Sequence, residues 1–202
     1  MQRASTTVIA LVGDAALAHL AGAANVRVLH PPPDAPALER AVAAWGEVAR
    51  TTATYTVHDA DPLSVVADAW IRRYDGDGAR GELEVAVAET LARWRARSLE
   101  LPDYYLLVDP ETWDATRRHW YLGYLADAAP ARVVATRRDL LGAIGHLATG
   151  RWWPDLDDLL AGVDRVVPDR AGFGAGAERG DLVTVEGALV VGGGACGVPA
   201  QG

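Results

Sequence analysis

Acidic and imidazole side chains follow the ends of several strand-like segments in this chain. His58, Asp59 and Asp61 come after the run Thr54–Val57, and Asp109 follows another apolar run. Carboxylate and imidazole groups at strand ends can act as general acids and bases or bind a divalent metal ion. We therefore predict His58, Asp59 and Asp109 as catalytic residues. For a metal ion, the predicted ligands are Asp59, Asp61 and Asp109.

Four further polar residues stand at or just after the ends of other strand-like segments. They are Asp14, His30, Thr136 and Arg137, which we predict to bind a ligand. An arginine in such a place suits an anionic group such as phosphate. Open α/β sheets bind their ligands at the carboxyl ends of the strands. Together these residues predict a small enzyme that acts on a phosphorylated or nucleotide-like ligand, with a divalent metal ion as the candidate cofactor.

Two of the aspartates also have a purely structural interpretation. Asp61 and Asp109 are each followed by proline, and an aspartate before a proline is a common way to begin a helix. Such an aspartate accepts hydrogen bonds from backbone N–H groups and stabilises the helix by about 0.5–2 kcal/mol. His58 and Asp59 are not needed for a cap, so they carry more of the functional hypothesis.

The composition excludes several kinds of chemistry. All 19 basic residues are arginine, which excludes pyridoxal phosphate bound to a lysine and the lysine of a phosphate-binding loop. None of the three serines lies in a Gly-x-Ser-x-Gly motif. Gly13 after the first strand is not part of a Gly-x-Gly-x-x-Gly motif, which argues against NAD and FAD. The single cysteine, Cys196, cannot form a disulfide within the chain.

Short apolar runs alternate with longer segments of helical spacing. The predicted buried parallel strands are Thr7–Val12, Val26–Leu29, Thr54–Val57, Tyr104–Val108 and Arg132–Ala135. The predicted helices are Ala15–Ala23, Ala35–Ala49, Leu63–Tyr74, Glu82–Leu99, Glu111–Ala128, Asp139–Leu147 and Asp155–Val163. This alternation predicts an α/β fold of three layers, helix, sheet and helix, around a five-stranded parallel sheet.

The order of the strands decides whether the strand-end residues meet. In a flavodoxin-like order, 2-1-3-4-5, the third strand lies between the first and the fourth, so that Asp14, Asp61 and Asp109 are neighbours. In a Rossmann-like order, 3-2-1-4-5, the third and fourth strands are about 14 Å apart, and no single metal ion could bridge them. The sequence leaves both orders open.

The composition changes after residue 170. We predict an α/β domain over residues 1–170 and a tail rich in glycine and alanine over residues 171–202. An apolar stretch over residues 182–191 is interrupted by Glu186 and Gly187. This pattern predicts a hairpin or an added edge strand.

Charge and hydropathy bound the partners of the chain. The formal net charge of -8 and a pI near 5.0 argue against nucleic-acid binding, because neutralising phosphates needs a basic face. No apolar segment reaches the roughly 20 residues that cross a bilayer, so we expect a soluble cytoplasmic protein. The alternative to an enzyme is a non-catalytic protein–protein interaction module or a homodimer. Its contact surface would be the tail or the pair Trp152-Trp153.

Overall fold

A computed structural model describes residues 5–14, 17–137 and 139–169, together with the strand residues 183–185 and 188–190. The strands of this part of the chain form one sheet, in which five neighbouring strands run parallel. They are β1 (Thr7–Val12), β2 (Val26–Val28), β3 (Tyr55–His58), β4 (Tyr104–Val108) and β5 (Val133–Thr136), followed by β6 (Val183–Val185) and β7 (Ala188–Val190). The predicted three-layer α/β fold with a five-stranded parallel sheet is confirmed.

The strands lie in the order β2-β3-β1-β4-β5-β7-β6. As in the flavodoxin-like alternative, β2 is at one edge and β4 and β5 follow on the other side, but β1 and β3 are exchanged. Thus β1 pairs with β3, where Ala10 is opposite His58, and with β4, where Val12 is opposite Leu107. The ends of β3 and β4 are therefore two strand spacings apart, about 10 Å.

The carboxyl-terminal strands form the predicted hairpin. β6 and β7 pair antiparallel, and β7 pairs antiparallel with β5, so the hairpin extends the sheet beyond β5. Glu186 and Gly187, the predicted interruption, lie between these strands and outside the described residues. Most of the predicted tail over residues 171–202 also lies outside them, so the division into domain and tail stays a prediction.

Helices cover both faces of the sheet. They are α1 (Ala37–Val48), α2 (Ser64–Asp75), α3 (Glu82–Arg95), α4 (Ala115–Arg118), α5 (Ala126–Ala128), α6 (Leu140–Gly145) and α7 (Leu156–Leu160). A π-helical segment, His119–Leu125, joins α4 to α5. Short 3-10 turns occupy Leu17–Leu20, Pro110–Thr112, Pro130–Arg132 and Val163–Arg165. Within the described part of the chain, no helix is long and apolar enough to cross a membrane.

The predicted helix over Ala15–Ala23 is wrong in its described part. That part is a single 3-10 turn, which buries Leu17 and Leu20 against the sheet. Gly22 and Asn25 then adopt positive φ angles of 81° and 64°, and these turn the chain into β2. The alanines of this segment have high helix propensity, but the two leucines offer too little apolar surface to hold a longer helix on the sheet.

The predicted helix over Glu111–Ala128 is helical only from Ala115 onward, because its first residues belong to a 3-10 turn and an extended link. Asp114 begins α4 by accepting a hydrogen bond from the backbone N–H of Arg117 at 2.7 Å. The chain then widens into the π-helical segment before α5. Such π-helical turns are rare and often occur at functional sites.

Two apolar clusters attach the helices to the two faces of the sheet. On one face, Trp70 of α2 and Trp120 of the π-helical segment are fully buried in a cluster that includes Tyr105 of β4. On the other face, Leu20 of the 3-10 turn after β1 and Ile144 of α6 belong to a cluster built on β1, β3, β4 and β5. The connection from β1 and helix α6 therefore share one face, and α2 lies on the other.

The pair Trp152-Trp153 takes part in the packing of the fold. Trp153 is buried, and its indole N–H donates to the carbonyl oxygen of Pro102 at 2.7 Å. The half-buried ring of Trp152 lies 4.4 Å from the guanidinium carbon of Arg132. The two side chains thus do not form the exposed aromatic patch that a contact surface would need, because the fold itself covers Trp153.

Candidate functional site

A cleft of about 300 Å³ opens at the carboxyl ends of β1 and β3. The chain leaving β1 crosses one face of the sheet, whereas α2, which follows β3, packs on the other face. Adjacent strands whose connections diverge in this way leave a crevice, and open α/β sheets bind ligands there. The polar residues that line the cleft are Asp14, Arg40, Asp59, Asp61, Ser64, Asp68, Arg117 and Tyr121.

A buried carboxylate, that of Asp61, forms the floor of the cleft. Its Oδ1 accepts hydrogen bonds from the Tyr105 hydroxyl and from the backbone N–H of Leu63, both at 2.8 Å. Its Oδ2 accepts from the Tyr121 hydroxyl at 2.7 Å. Asp61 is 6% exposed. It therefore joins the end of β3 to β4 and to the π-helical segment. The predicted cap position is wrong by two residues, because Leu63 is the N-cap of α2 and its N–H donates to Asp61.

Burial dominates the electrostatics of this floor. It raises the pKa of the Asp61 carboxyl, while the hydrogen bonds from Tyr121, Leu63 and Tyr105 act in the opposite direction. Burial and the neighbouring Asp61 charge also raise the pKa values of Tyr105 and Tyr121 well above their usual value. Both tyrosines therefore remain protonated hydrogen-bond donors. The charge of Asp61 is satisfied by three neutral donors rather than by a cation.

Positive groups line the walls of the cleft. On one side, Nη2 of Arg40 donates to Oδ1 of Asp59 at 2.9 Å. Elsewhere on the wall, the guanidinium carbon of Arg117 lies 4.8 Å from the centre of the Trp113 ring. Ser64, the first residue of α2, also lines the cleft. The N–H groups at this helix start are already taken, since that of Leu63 donates to the Asp61 side chain and that of Ser64 to the Asp61 carbonyl oxygen. The groups of this wall that could meet an anion are therefore the two guanidinium groups and the Ser64 hydroxyl.

Two carboxylates of the cleft have no basic partner in an ion pair. Among the described residues, Asp14 and Asp68 form no ion pair, although both line the cleft. Partial burial raises the pKa of Asp68, and the charges of Arg72 and Arg117 lower it. These two side chains can accept hydrogen bonds from a ligand.

A close approach at Gly13 gives the cleft its shape. Gly13 has a φ of +113°, and a Cβ there would lie 2.7 Å from the carbonyl oxygen of Val108 and 3.2 Å from the Trp113 ring. Only glycine fits this contact without strain. The Trp113 ring in turn meets the Tyr121 ring edge-on, with centroids 5.5 Å apart. The chain leaving β1 is thus packed against the end of β4 and the wall that carries Tyr121.

The two histidines predicted for the site lie apart from the cleft. His58 is buried at the end of β3, is 5% exposed, and has a buried Nδ1 without a hydrogen-bond partner. Burial lowers its pKa to about 4, against the raising effect of the Asp59 charge. His30 is exposed just past β2, at the far edge of the sheet. Neither lines the cleft.

Asp109, Thr136 and Arg137 form a second group, at the ends of β4 and β5. The backbone N–H of Asp109 donates to the Thr136 carbonyl oxygen at 2.9 Å. The exposed Arg137 pairs with Glu111 at 3.0 Å. Asp109 adopts a φ of 47° and makes no side-chain cap, so the capping interpretation fails for it. None of these residues lines the cleft, because β1 separates β4 from β3.

The three predicted metal ligands are not gathered around one point. The oxygens of Asp61 are occupied by hydroxyl and backbone donors, Asp59 pairs with Arg40, and Asp109 belongs to the second group. Within the described part of the chain, no group of three histidine, cysteine or acidic side chains is placed to hold a metal ion. The order of the strands accounts for this, since it puts β1 between β3 and β4.

Sequence reasoning missed most of the side chains that join Asp14, Asp59 and Asp61 at the cleft. They are Arg40, Ser64, Asp68, Tyr105, Arg117 and Tyr121. One signal was available: Tyr105 places a hydroxyl inside a strand that is buried on both faces, and such a group needs a buried partner. The others lie on helices whose orientation depends on the strand order.

A larger cavity, of about 520 Å³, lies at the opposite, amino-terminal edge of the sheet. Two of its charged groups, Arg132 and Asp103, are held by the fold. The buried Arg132 lies between the rings of Tyr104 and Trp152, at 4.8 Å and 4.4 Å, and donates to two backbone carbonyl oxygens. Asp103 accepts from the backbone N–H of Val8 at 2.6 Å. We therefore place the functional site in the smaller cleft.

Comparison with known proteins gives no match for this chain, whether with family models, with curated proteins or with solved structures. The geometry of the cleft is therefore the basis for a functional proposal.

Proposed function

We propose that the cleft binds a small phosphorylated ligand. The observation that carries this proposal is the presence of Arg40 and Arg117 around one cleft at diverging strand connections. Guanidinium groups are well suited to bind a phosphate group.

The lining of the cleft holds four aspartates and two arginines, so an anion has to bind at the arginines. Asp59 is neutralised by Arg40, and the charge of Asp61 is satisfied from within the fold. Arg117 forms no ion pair among the described residues and can turn its N–H groups toward a phosphate. Arg117 is therefore the principal anion contact of the proposal.

An enzymatic step in this cleft would use the carboxylate of Asp68. A raised pKa brings a carboxyl group closer to the range in which a general base is effective, and partial burial shifts the Asp68 pKa in that direction. We propose an enzyme that acts on the bound phosphorylated ligand, with Asp68 as the base. The alternative, an interaction module or homodimer that uses the tail, stays a prediction.

The proposal is tested by titrating the protein with ribose 5-phosphate in a calorimeter. Replacing Arg117 by Gln should weaken binding by about 30-fold, because a charge-assisted contact to phosphate is lost. The matched control is Arg73→Gln, since Arg73 is exposed on α2 and pairs with Glu84 away from the cleft. Equal affinities for the wild type and the Arg117 variant would contradict the proposal.

A further inference from the structure

We propose that the ligand of the cleft is a phosphorylated polyol, such as a sugar phosphate, rather than a nucleotide. This inference rests on the proposed function and names the chemical class that the cleft would select. It follows from the size of the cleft, from the side chains of its walls and from the spacing of two residues on α2.

The size of the cleft favours a small ligand. Pockets for drug-sized ligands have volumes of about 300–1,000 Å³, and this cleft has a volume of about 300 Å³. It lies at the lower end of that range. A phosphate group with a short hydroxylated chain fits such a volume better than a phosphate, a sugar and a base together.

The walls lack a surface on which a base could stack. Among the described residues of the cleft, Tyr121 is the single aromatic side chain. It is 3% exposed, its hydroxyl donates to Asp61, and its ring meets the Trp113 ring. Protein sites for bases usually offer an aromatic face. Here that face is already covered by the fold.

The remaining polar groups suit hydroxyls. Asp14 and Asp68 present carboxylate oxygens and form no ion pair in the described part of the chain. Carboxylates accept strong hydrogen bonds from hydroxyl donors. They repel anionic groups, so we place the single phosphate at Arg117 and the hydroxyls of the ligand at Asp14 and Asp68.

The spacing on α2 orders the two ends of this ligand. Ser64 is the first residue of α2, and Asp68 follows it four positions later on the same face. Side chains at this separation are neighbours, with Cβ atoms about 6 Å apart. The phosphate would lie at Arg117 and the Ser64 hydroxyl, and the hydroxyls would reach Asp68 one helical turn further on.

Three probes separate this inference from the proposed function itself: inorganic phosphate, ribose 5-phosphate and adenosine monophosphate. Each is titrated into the wild type, Arg117→Gln, Asp68→Ala and the control Asp77→Ala. Asp77 is an exposed acidic residue just past the other end of α2, so it controls for the loss of one negative charge. Circular dichroism and thermal melting establish that the variants are folded.

We expect ribose 5-phosphate to bind about tenfold more tightly than inorganic phosphate, and adenosine monophosphate to bind no more tightly than ribose 5-phosphate. Asp68→Ala should lower the affinity for ribose 5-phosphate about tenfold, because a carboxylate–hydroxyl hydrogen bond is lost. The same substitution should leave the affinity for inorganic phosphate unchanged or raise it up to about threefold, because a like charge is removed. Asp77→Ala should change neither affinity.

The outcomes distinguish the two proposals. If no probe binds the wild type, or if Arg117→Gln has no effect on inorganic phosphate, the proposed function fails. If phosphate binds through Arg117 but adenosine monophosphate binds best, the phosphorylated-polyol inference alone is overturned. The polyol inference is also overturned if Asp68→Ala lowers the affinities for inorganic phosphate and ribose 5-phosphate by the same factor.

Discussion

The two edges of the sheet carry similar charged side chains, which differ in how far the fold itself pairs them. At the amino-terminal edge, Arg132 is held by Tyr104, Trp152 and two backbone carbonyls around a cavity of about 520 Å³. At the carboxyl-terminal edge, the cleft of about 300 Å³ has Arg117 and Asp68 in its walls, and neither forms an ion pair among the described residues. The arginine of the larger cavity is thus stacked and hydrogen-bonded within the fold, whereas Arg117 of the cleft, within the described part of the chain, is stacked only.

This difference shows why volume alone does not locate a site. A charged group that the fold has already paired and stacked contributes to stability and has little left to offer a ligand. At the carboxyl-terminal edge, Asp61 is satisfied in this way by its two tyrosines, and Asp59 pairs with Arg40. Asp14, Asp68 and Arg117 form no ion pair among the described residues, so they are the charged groups of the cleft that a ligand could use.

The largest expected effect comes from the floor of the cleft. Asp61→Ala should reduce the free energy of unfolding by about 4 kcal/mol, because it leaves three buried donors without an acceptor. The corresponding change at the other edge, Asp103→Ala, should cost about 1–2 kcal/mol, since the part-buried hydrogen bond from Val8 is lost there. Urea unfolding followed by circular dichroism measures both values.

A control for the floor is Asp59→Ala. The Asp59 side chain is 45% exposed, so water screens its ion pair with Arg40. This variant should therefore lose less than about 1 kcal/mol of unfolding free energy. If Asp61→Ala were no more costly than Asp59→Ala, the hydrogen bonds to Asp61 would not hold the walls together, and the contrast between floor and walls would be lost.

The next effect concerns pH and the two strand-end histidines. His58 is buried and neutral, with a pKa lowered from 6.5 to about 4. Its contribution to stability is fully present above pH 6.5 and is lost as the pH falls toward 4, by about 3 kcal/mol. The difference in unfolding free energy between pH 7 and pH 4 should therefore be smaller in His58→Leu than in the wild type.

His30 provides the matched variant, because it stands just past β2 but is exposed. His30→Leu controls for the replacement of a histidine by leucine at an exposed strand end. An identical pH dependence in His58→Leu and in the wild type would contradict the buried, neutral state of His58 at the end of β3.

The strands and the layers of the fold could be predicted from the sequence because they depend on local patterns. The apolar runs at Thr7–Val12 and Tyr104–Val108 coincide with β1 and β4. The helix predicted at Ala15–Ala23 was wrong because alanine propensity does not show whether a segment has enough apolar surface to pack. The change from α-helix to π-helix and back within residues 115–128 has no simple pattern in the sequence.

The candidate site could be predicted only in part because it depends on the order of the strands. Asp14, Asp59 and Asp61 were identified and do line the cleft, whereas Asp109 and Arg137 lie at the ends of β4 and β5. Strand order arises from long-range packing and is not visible in local spacing. For the same reason Arg40 and Arg117, which come from different helices, could not be assigned to one site beforehand.

The most direct test of the contrast between the two edges uses tryptophan side chains as reporters. Trp113 packs behind the cleft lining, against Gly13 and Arg117, whereas Trp45 and Trp152 line the amino-terminal cavity. Their indole N–H signals can be followed by NMR during a titration with ribose 5-phosphate. We predict a saturable shift of the Trp113 signal with unchanged Trp45 and Trp152 signals. A shift of Trp45 or Trp152 with an unmoved Trp113 would contradict the placement of the site.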